Sequence, residues 1–275
     1  MTAAAALGIL LAEAFALLLA WKWELGLRRV AVAVLLIGLV MAVVVSLIAS
    51  SVPLAGALQT VIVFGATVAA ATAVLAYRFY RDPARTPPKT SGAVVSPADG
   101  LVIYVHRVAE GVLPGGTKGE RPHRLDELAG TALQAREAFV IGIAMSFLDV
   151  HVNRAPIAGE IVLQHRVAGG FGSLKDREMV FQNERRTTII RQPGLEVAMV
   201  QIASRLVRQI ASFVTDGQRV ELGARIGVIR LGSQVDLVVP ANVTVCVEPG
   251  DRVRAGESIV AIVAEPGAAG AASAV

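Results

Sequence analysis

Ser233 follows Gly232 in the stretch RLGSQVDLVVP, and this pair has the residue types that a chain needs to cut itself. A serine hydroxyl can attack the preceding carbonyl carbon and convert the amide into an ester when a base removes its proton. Glycine has no Cβ, so the backbone can adopt the strained geometry of the attack. Loss of the Ser233 α-proton then eliminates the upstream chain, and hydrolysis with release of ammonia leaves a pyruvoyl group. The pattern favours cleavage between Gly232 and Ser233.

Two further residues could support that chemistry. His151, in FLDVHVNRAP, has a side chain whose ordinary pKa of about 6.5 suits a base. Asp99, in VVSPADG, could orient and charge the histidine as in Ser-His-Asp triads. Each has a plainer interpretation, namely a hydrogen-bonded histidine at a strand end and a turn aspartate. Asp149 is nearer to His151 in sequence but is the second choice. In a strand, residues i and i+2 lie on the same face, but they are side by side along the strand rather than opposite each other.

The order and spacing of these three segments resemble the phosphatidylserine decarboxylase family in its short Gly-Ser form. The resemblance runs from about residue 79 to about residue 262 and includes FYRDPARTPP. It implies an enzyme that decarboxylates phosphatidylserine, a membrane phospholipid, to phosphatidylethanolamine, with a covalent pyruvoyl cofactor made from Ser233. It implies that His151 is the acid/base and Asp99 its partner. The chain of residues 1–232 and the 43-residue chain beginning at Ser233 would remain associated.

The chain departs from longer members of that family at two positions. Arg154 stands where they carry a second histidine, three places after His151. The role of that histidine is lost, moved to His151, or passed to Arg154 as a charge that binds a phosphate or carboxylate. Gln234 follows the serine in place of the usual threonine. Two other residues are candidates for substrate binding. Phe171, in GGFGSLKD, belongs either to a mobile lid over the lipid or to a simple loop. Arg185, in the segment NER, belongs either to a functional site or to a solvated charged turn.

The N-terminal part of the chain is too apolar for an ordinary soluble domain. The whole sequence is 54% hydrophobic with a mean hydropathy of +0.61. Residues 30–50 and residues 59 or 60 to 77 carry no charge and are long enough to cross a bilayer as helices. Residues 3–20 are a weaker third candidate because Glu13 lies near their middle. A signal peptide is the alternative for this segment, and the absence of basic residues before position 12 disfavours it.

Basic residues beside the apolar spans predict their orientation. They lie between the first and second spans and directly after the third: Lys22, Arg28, Arg29, Arg78, Arg81, Arg85 and Lys89. Positive-inside bias predicts a cell (inner) membrane protein with its catalytic domain in the cytoplasm. The net charge of +4 then reflects contact with anionic lipid rather than nucleic acid. The lone Cys246, in NVTVCVE, agrees with a reducing compartment and is predicted to be buried.

These patterns predict N-terminal transmembrane α-helices followed by a mainly-β (α+β) catalytic domain. We expect a membrane anchor of two to three helices at 1–78, a Pro-rich linker at 79–91, the catalytic domain at 92–266 and a disordered tail at 267–275. Within the domain we expect a strand pair around the turn in 92–106, a short helix at 124–129, and strands at 139–147, 160–167, 186–191 and 196–203.

An internal repeat lies in the last third of the chain. DGQRVELGARIGVI from Asp216 aligns with PGDRVRAGESIVAI from Pro249, which predicts two half-repeats of a biotinyl/lipoyl-like flattened β-barrel. A non-catalytic membrane adaptor with such a barrel is therefore an alternative function. A prosthetic-group carrier is disfavoured because no lysine follows Lys175. The same chemistry on another phosphoserine lipid, such as an archaeal ether lipid, is a further alternative. Histidine spacing predicts no metal site, and the oligomeric state stays open, with a homodimer as one option.

Overall fold

The structure is a computed structural model that describes residues 2–22, 26–52, 54–114, 122–204, 209–229 and 233–263. Gly232 and the expected disordered tail at 267–275 lie outside these residues. The backbone of Ser233 is described and its side chain is not. The chain divides into two compact units, residues 1–80 and residues 81–275.

The first unit consists of three apolar helices. They are α1 (Ala3–Lys22), α2 (Leu27–Ser51) and α3 (Gly56–Tyr80), with mean hydropathies of 2.3, 3.1 and 1.9. Each is long and apolar enough to cross a membrane. The weakest of the three predicted spans, at 3–20, is therefore a full-length helix like the other two.

Small residues bring these helices together. A Cβ on Gly8 of α1 would lie 2.8 Å from the carbonyl oxygen of Thr60 on α3, so the two backbones approach where glycine permits it. Ala5, Ala12 and Ala42 are buried in the bundle. Large apolar side chains on the outer faces are more than half exposed, among them Leu10, Leu18, Leu36, Leu47 and Val61. Close packing through small residues, with large apolar residues outside, is typical of helices in lipid.

The second unit is mainly β. Its strands are β1 (Ala93–Val95), β2 (Gly100–Val108), β3 (Ala138–Met145), β4 (Val152–Arg154), β5 (Gly159–Val167), β6 (Arg185–Gln192), β7 (Leu195–Ile202), β8 (Ile210–Ser212), β9 (Arg219–Val220), β10 (Arg225–Ile229), β11 (Ser233–Pro240), β12 (Val243–Val245), β13 (Arg252–Val253) and β14 (Ile259–Val263). Two short helices, α4 (Leu125–Ala129) and α5 (Met179–Gln182), accompany them. Within the described residues the strands form one sheet of order β13-β2-β3-β11-β7-β6-β5-β9 and two three-stranded sheets, β1-β14-β12 and β4-β10-β8.

Most of the predicted elements are confirmed, and one predicted pairing is wrong. The strands expected at 139–147, 160–167, 186–191 and 196–203 are β3, β5, β6 and β7, and the short helix is α4. The segment 92–106 does not form a strand pair around its turn, since β1 pairs with β14 while β2 pairs with β3 and β13. Long-range hydrogen bonds redirect the chain: the amides of Val95 and Ser96 donate to the carbonyls of Pro156 and Ser258.

The internal repeat forms equivalent turns. Gly223 and Gly256 both have φ of +74°, a backbone conformation that favours glycine. Each copy bonds to an equivalent partner: Gly217 N to Ile161 O, Gly250 N to Val102 O, Gly223 N to Ala155 O, and Gly256 N to Ser96 O, at 2.7 to 2.9 Å. The partners are themselves 59 residues apart, so segments 93–102 and 152–161 form a second repeated pair. In that pair Pro97 and Gly100 correspond to Pro156 and Gly159, a short match beside the longer one in the last third of the chain.

Cys246 is exposed, so the prediction that it is buried is wrong. Alternate residues of an extended segment face opposite sides. Here Val245 and Val247 pack against the main core, and Cys246 faces solvent instead.

Candidate active site

The topology brings the Gly-Ser junction and His151 to one end of the β unit. Strand β11 begins at Ser233, whose Cα is paired with Met145 at the end of β3. Strand β10 ends at Ile229, whose amide donates to the carbonyl of His151 at 3.3 Å. The connection between these strands carries Gly232, which lies outside the described residues. The chain therefore passes from a strand end beside His151, at Ile229, to a strand start beside β3, at Ser233.

His151 is a buried histidine whose ring is neutral at pH 7. It lies between β3 and β4 and is only 1% exposed. Burial lowers the pKa of the imidazole to about 4; a hydrogen bond to the backbone of Asp149 and, after it, the charge of Asp149 oppose this effect, and the charge of Arg81 reinforces it. The ring is consequently neutral at pH 7 and can act as a base.

Asp99 is buried among partners of its own. Its Oδ1 accepts a 2.7 Å hydrogen bond from the amide of Ala255, and its Oδ2 accepts one of 2.8 Å from Arg85. The Arg85 guanidinium also binds Glu257 at 2.9 Å. Oδ2 of Asp99 therefore helps to attach the Pro-rich segment to the β unit, whereas Oδ1 holds the turn after β13. The carboxylate whose charge acts on the pKa of His151 is that of Asp149.

Arg154, like Asp99, binds the Pro-rich segment from within the β unit. The buried guanidinium donates to Asp82 at 2.7 Å, to the carbonyl of Pro83 at 3.0 Å and to the carbonyl of Gly223 at 3.1 Å. Arg225 binds the second oxygen of Asp82. Arg154 thus holds the start of the Pro-rich segment, and these contacts use much of its hydrogen-bonding capacity.

Phe171 lies in a glycine-rich loop that Asn183 fastens to the unit. Its side chain is half-buried and packs against the main core. The Asn183 side-chain amide accepts from the backbone N–H of Gly172 at 2.6 Å and donates to the carbonyls of Gly172 and Ala203 at 3.0 and 2.9 Å. Ala203 directly follows β7, the neighbour of β11. The loop is therefore tied to the strand next to the Gly-Ser junction.

Arg185 is surrounded by backbone carbonyls. Asn183, Glu184 and Arg185 are at most 6% exposed, so the interpretation of this segment as a solvated turn is wrong. The Arg185 guanidinium donates to carbonyls at the ends of α4 and α5: those of Leu128 at 3.0 Å, Glu127 at 2.9 Å, Asn183 at 3.0 Å, and Phe181. Burial lowers the pKa of Arg185. In this arrangement it caps two helix ends.

A buried amide pair, not identified from the sequence, lies beside the junction. Gln201 donates to the side-chain oxygen of Asn153 at 2.7 Å, and Asn153 contacts the sulfur of Met145 at 3.8 Å. Gln201 is paired with Val235 of β11, and within the described residues its Oε1 is buried without a hydrogen-bond partner. Burying an acceptor atom costs free energy unless a hydrogen-bond donor binds it. A lone glutamine inside the apolar run VAMVQIA was the available sequence signal.

The fold and site define an enzyme whose polar site lies in a β unit, preceded by three helices long and apolar enough to cross a membrane. The model of the family described as phosphatidylserine decarboxylase matches residues 73–261. The chain belongs to the phosphatidylserine decarboxylase family.

Three relatives illustrate the similarity. The phosphatidylserine decarboxylase proenzyme of Pelobacter propionicus is 36% identical over 75% of this chain and 85% of its own length. The protein of the same name from Mycolicibacterium gilvum is 41% identical over 66% of this chain and 72% of its own. A Methanocaldococcus jannaschii protein, provisionally named as an archaetidylserine decarboxylase proenzyme, is 38% identical over 67% of this chain and 87% of its own.

Proposed function

We propose that this chain is a proenzyme that cuts itself between Gly232 and Ser233 and then decarboxylates phosphatidylserine to phosphatidylethanolamine. The observation that carries the proposal is that Ser233 begins β11 and follows closely in the chain after Ile229, the end of β10, whose amide binds the carbonyl of His151. The names of the relatives, which include the word proenzyme, agree with it.

In the cleavage step His151 removes the hydroxyl proton of Ser233, and the oxygen attacks the carbonyl carbon of Gly232. The C–N bond breaks as the nitrogen takes a proton, which leaves an ester. Removal of the Ser233 α-proton expels the Gly232 carboxylate and leaves dehydroalanine. Addition of one water and loss of one ammonia convert it to the pyruvoyl group. The buried and neutral His151 has the protonation state that the first step needs.

Asp99 and Asp149 are the two carboxylates that could orient His151. Asp99 is proposed from its position in the family motif, and its contacts with Arg85 and Ala255 give it a fixed place. Asp149 is proposed from its charge, which acts on the His151 pKa.

The two chains would stay together after cleavage. Residues from Ser233 onward supply β11, β13 and β14, and these pair with β3, β7, β2 and β1 from the larger chain. Because β11 lies between two strands of the other fragment, cutting before Ser233 breaks one covalent bond and none of these ladders. The new terminus remains in the sheet.

The residues near the junction fit a pyruvoyl group. Such a group supplies a ketone that reacts with a primary amine and accepts the electrons released when the adjacent carboxylate leaves. Gln201 offers a buried Oε1 that lacks a hydrogen-bond partner within the described residues, and Asn153 holds the other end of that amide. We propose that these two residues bind polar atoms of the group or of the substrate, while His151 delivers the proton that replaces the lost carboxylate.

The remaining proposals concern the setting of the site. The three helices would anchor the enzyme in the cell (inner) membrane, with the catalytic domain in the cytoplasm beside its lipid substrate. We propose a membrane anchor at 1–78, a Pro-rich linker at 79–91 and a catalytic domain at 92–266. Arg154, Phe171 and Arg185 are the candidates for substrate binding. The equivalent turns at Gly223 and Gly256 support a flattened barrel of two half-repeats.

A second candidate substrate is archaetidylserine, because the Methanocaldococcus jannaschii relative carries that lipid in its name. The serine head group and the reaction would be the same, and only the lipid backbone would differ. Carbon dioxide release from vesicles that contain one lipid or the other decides between them.

The test is an intact mass of the purified protein beside its Ser233→Ala variant. The wild-type protein should give two chains that meet at Gly232, the smaller one lighter by one ammonia than its encoded sequence. Ser233→Ala should give one uncut chain without decarboxylase activity, because it has no attacking oxygen. Normal two-chain processing of this variant would exclude the cleavage site. A single folded, full-length chain in both samples would favour the non-catalytic membrane adaptor.

A further inference from the structure

The residue directly after the proposed cleavage site belongs to a closed hydrogen-bond network. Gln234 donates to the hydroxyl oxygen of Tyr104 at 2.6 Å and to Oδ1 of Asp236 at 2.7 Å. The Tyr104 hydroxyl donates to Oδ2 of Asp236 at 2.6 Å, which completes the ring. Gln234 and Asp236 are 2% and 0% exposed. Three side chains thus connect the start of β11 to β2, although β3 lies between these strands.

A glycine makes that connection possible. Gly142 of β3 is paired with Tyr104 on one side and with Asp236 on the other. A Cβ at Gly142 would lie 2.4 to 2.7 Å from atoms of the Tyr104 ring, so the ring occupies the space that a side chain would fill. The phenol therefore passes over β3 and its hydroxyl reaches β11. The ring of His106 stacks on Tyr104 with centroids 4.6 Å apart.

Burying these polar groups in the protein core costs free energy. Burial raises the pKa of Asp236 to about 6, while the hydrogen bonds from Tyr104 and Gln234 lower it. Apolar residues of the same layer, among them Val140 and Val238, are buried beside the network, while His106 and Arg177 line the pocket next to Tyr104 and Asp236. Replacing a buried polar group and its partners with apolar residues of similar shape is often neutral or stabilising. Stability alone is therefore a poor explanation for this ring of side chains.

We propose that Gln234, Asp236 and Tyr104 form a clamp that fixes the start of β11 so that the Gly232–Ser233 amide meets its attacking group. These are positioning residues, because none of them is the nucleophile or the base. The inference rests on the proposed self-cleavage at this junction. Tyr104, Gly142 and Asp236 were not predicted as functional from the sequence, and Gln234 was noted only as a departure from the family pattern.

The clamp would act before and after cleavage. Before it, attack within one dipeptide depends on geometry, and a displacement of about 1 Å can cost about a hundredfold in rate. After it, position 233 becomes a chain terminus, and termini fray unless they are tied down. Gln234 is then the first residue after the new terminus, and its side chain is held by Tyr104 and Asp236. The clamp would hold that group at a fixed distance from His151.

The experiment measures self-cleavage of the full-length chain, made in a short cell-free pulse with lipid nanodiscs and followed by appearance of the small chain. Tyr104→Phe keeps the ring but removes two of the three hydrogen bonds, and should slow cleavage about tenfold or more. Thr187→Val is the matched control, since the buried Thr187 hydroxyl also loses a bond, of 2.7 Å to the carbonyl of Ala129. Thr187→Val should cleave itself within about twofold of the wild-type rate, although its unfolding midpoint falls about as far as that of Tyr104→Phe.

Two further variants keep the proposal falsifiable if Tyr104→Phe folds poorly. Gly142→Ala displaces the ring without removing any hydrogen-bonding group, and Gln234→Met preserves the length of the side chain without its amide. Both should slow cleavage, and the double variant Tyr104→Phe/Gln234→Met should be no slower than the worse single variant. Those molecules that do mature should have a lower kcat for the lipid with KM unchanged.

Equal slowing in Thr187→Val and Tyr104→Phe at equal stability would overturn the clamp, and so would wild-type cleavage rates in the folded clamp variants. Failure of the proposed function is a different result. In that case the wild-type chain and Ser233→Ala both stay uncut, whatever happens at Tyr104.

Discussion

At the scale of single residues, burial determines the chemistry of His151. Removal from water disfavours the charged imidazolium and lowers its pKa to about 4, whereas Asp149 raises it again in part. The unfolded chain has a pKa of about 6.5 for this histidine and so takes up the proton first as the pH falls. The folded state is therefore destabilised through this group as the pH decreases from about 6.5 to about 4.

The same shift predicts how self-cleavage depends on pH. The rate should be insensitive to His151 titration from about pH 8 to about pH 6 and should fall as the pH approaches 4, because the base becomes protonated. Asp149→Asn removes a charge that raises the His151 pKa, so its acid limb should move to lower pH. Asp99→Asn should leave the limb in place. The measurement is the cleavage rate of freshly translated chain in a series of buffers, with circular dichroism to define where the fold survives.

An unshifted limb in Asp149→Asn together with a shifted one in Asp99→Asn would assign the orienting role to Asp99. A limb near pH 6.5 in the wild-type chain would show that the reactive histidine is not buried as described.

At the scale of elements, two ion-pair clusters attach the segment after α3 to the β unit. Asp82 binds Arg154 and Arg225, while Arg85 binds Asp99 and Glu257. Arg85 and Asp99 have side chains that are only 8% and 12% exposed, so removing one partner leaves the other buried without its charge. The Pro-rich segment is thus structurally part of the β unit rather than a free tether.

Truncation tests that arrangement. A chain that begins at residue 81 should fold and cut itself, whereas a chain that begins at residue 92 should be less stable by about 3 kcal/mol or more, because Asp99 and Arg154 lose their partners. The unfolding midpoint in urea measures the difference. Arg191→Ala is the control, since the exposed Arg191–Glu196 pair should contribute at most about 1 kcal/mol. Equal stability of the two truncated chains would show that the clusters contribute little.

At the scale of the whole molecule, the exposed Cys246 reports which side of the membrane carries the β unit. It is the only cysteine in the sequence. If that unit is cytoplasmic, a membrane-impermeant maleimide should label Cys246 in inverted vesicles and not in intact cells. The physical reason is that basic residues flanking α1, α2 and α3 favour retention on the cytoplasmic side.

Two variants complete the labelling experiment. Cys246→Ser should abolish the signal, and Ser51→Cys in that background places a thiol at the end of α2, where we expect the outer surface. Labelling of Cys246 in intact cells would reverse the proposed orientation.

The sequence by itself determined the class of the elements and the nature of the chemistry. Apolar runs with at most one charge, each about as long as the hydrocarbon core of a bilayer is thick, predicted the helices, since this signal needs only the local sequence. The Gly-Ser pair and His151 could be proposed from the sequence because few residue types can act as nucleophile or base and because their order and spacing resemble those of the family. The repeat at Gly223 and Gly256 was visible because both turns need glycine.

Only the tertiary structure decided which residues meet. The partners of Asp99, Arg85 and Ala255, could not be read from the sequence because Ala255 is 156 residues away, and the role of Asp99 beside His151 stays a proposal. Gln201 and Tyr104 became visible only once β7 and β2 had their places in the sheet. Strand order depends on hydrogen bonds between segments up to about 170 residues apart, such as β1 with β14, and local sequence carries no record of such pairings.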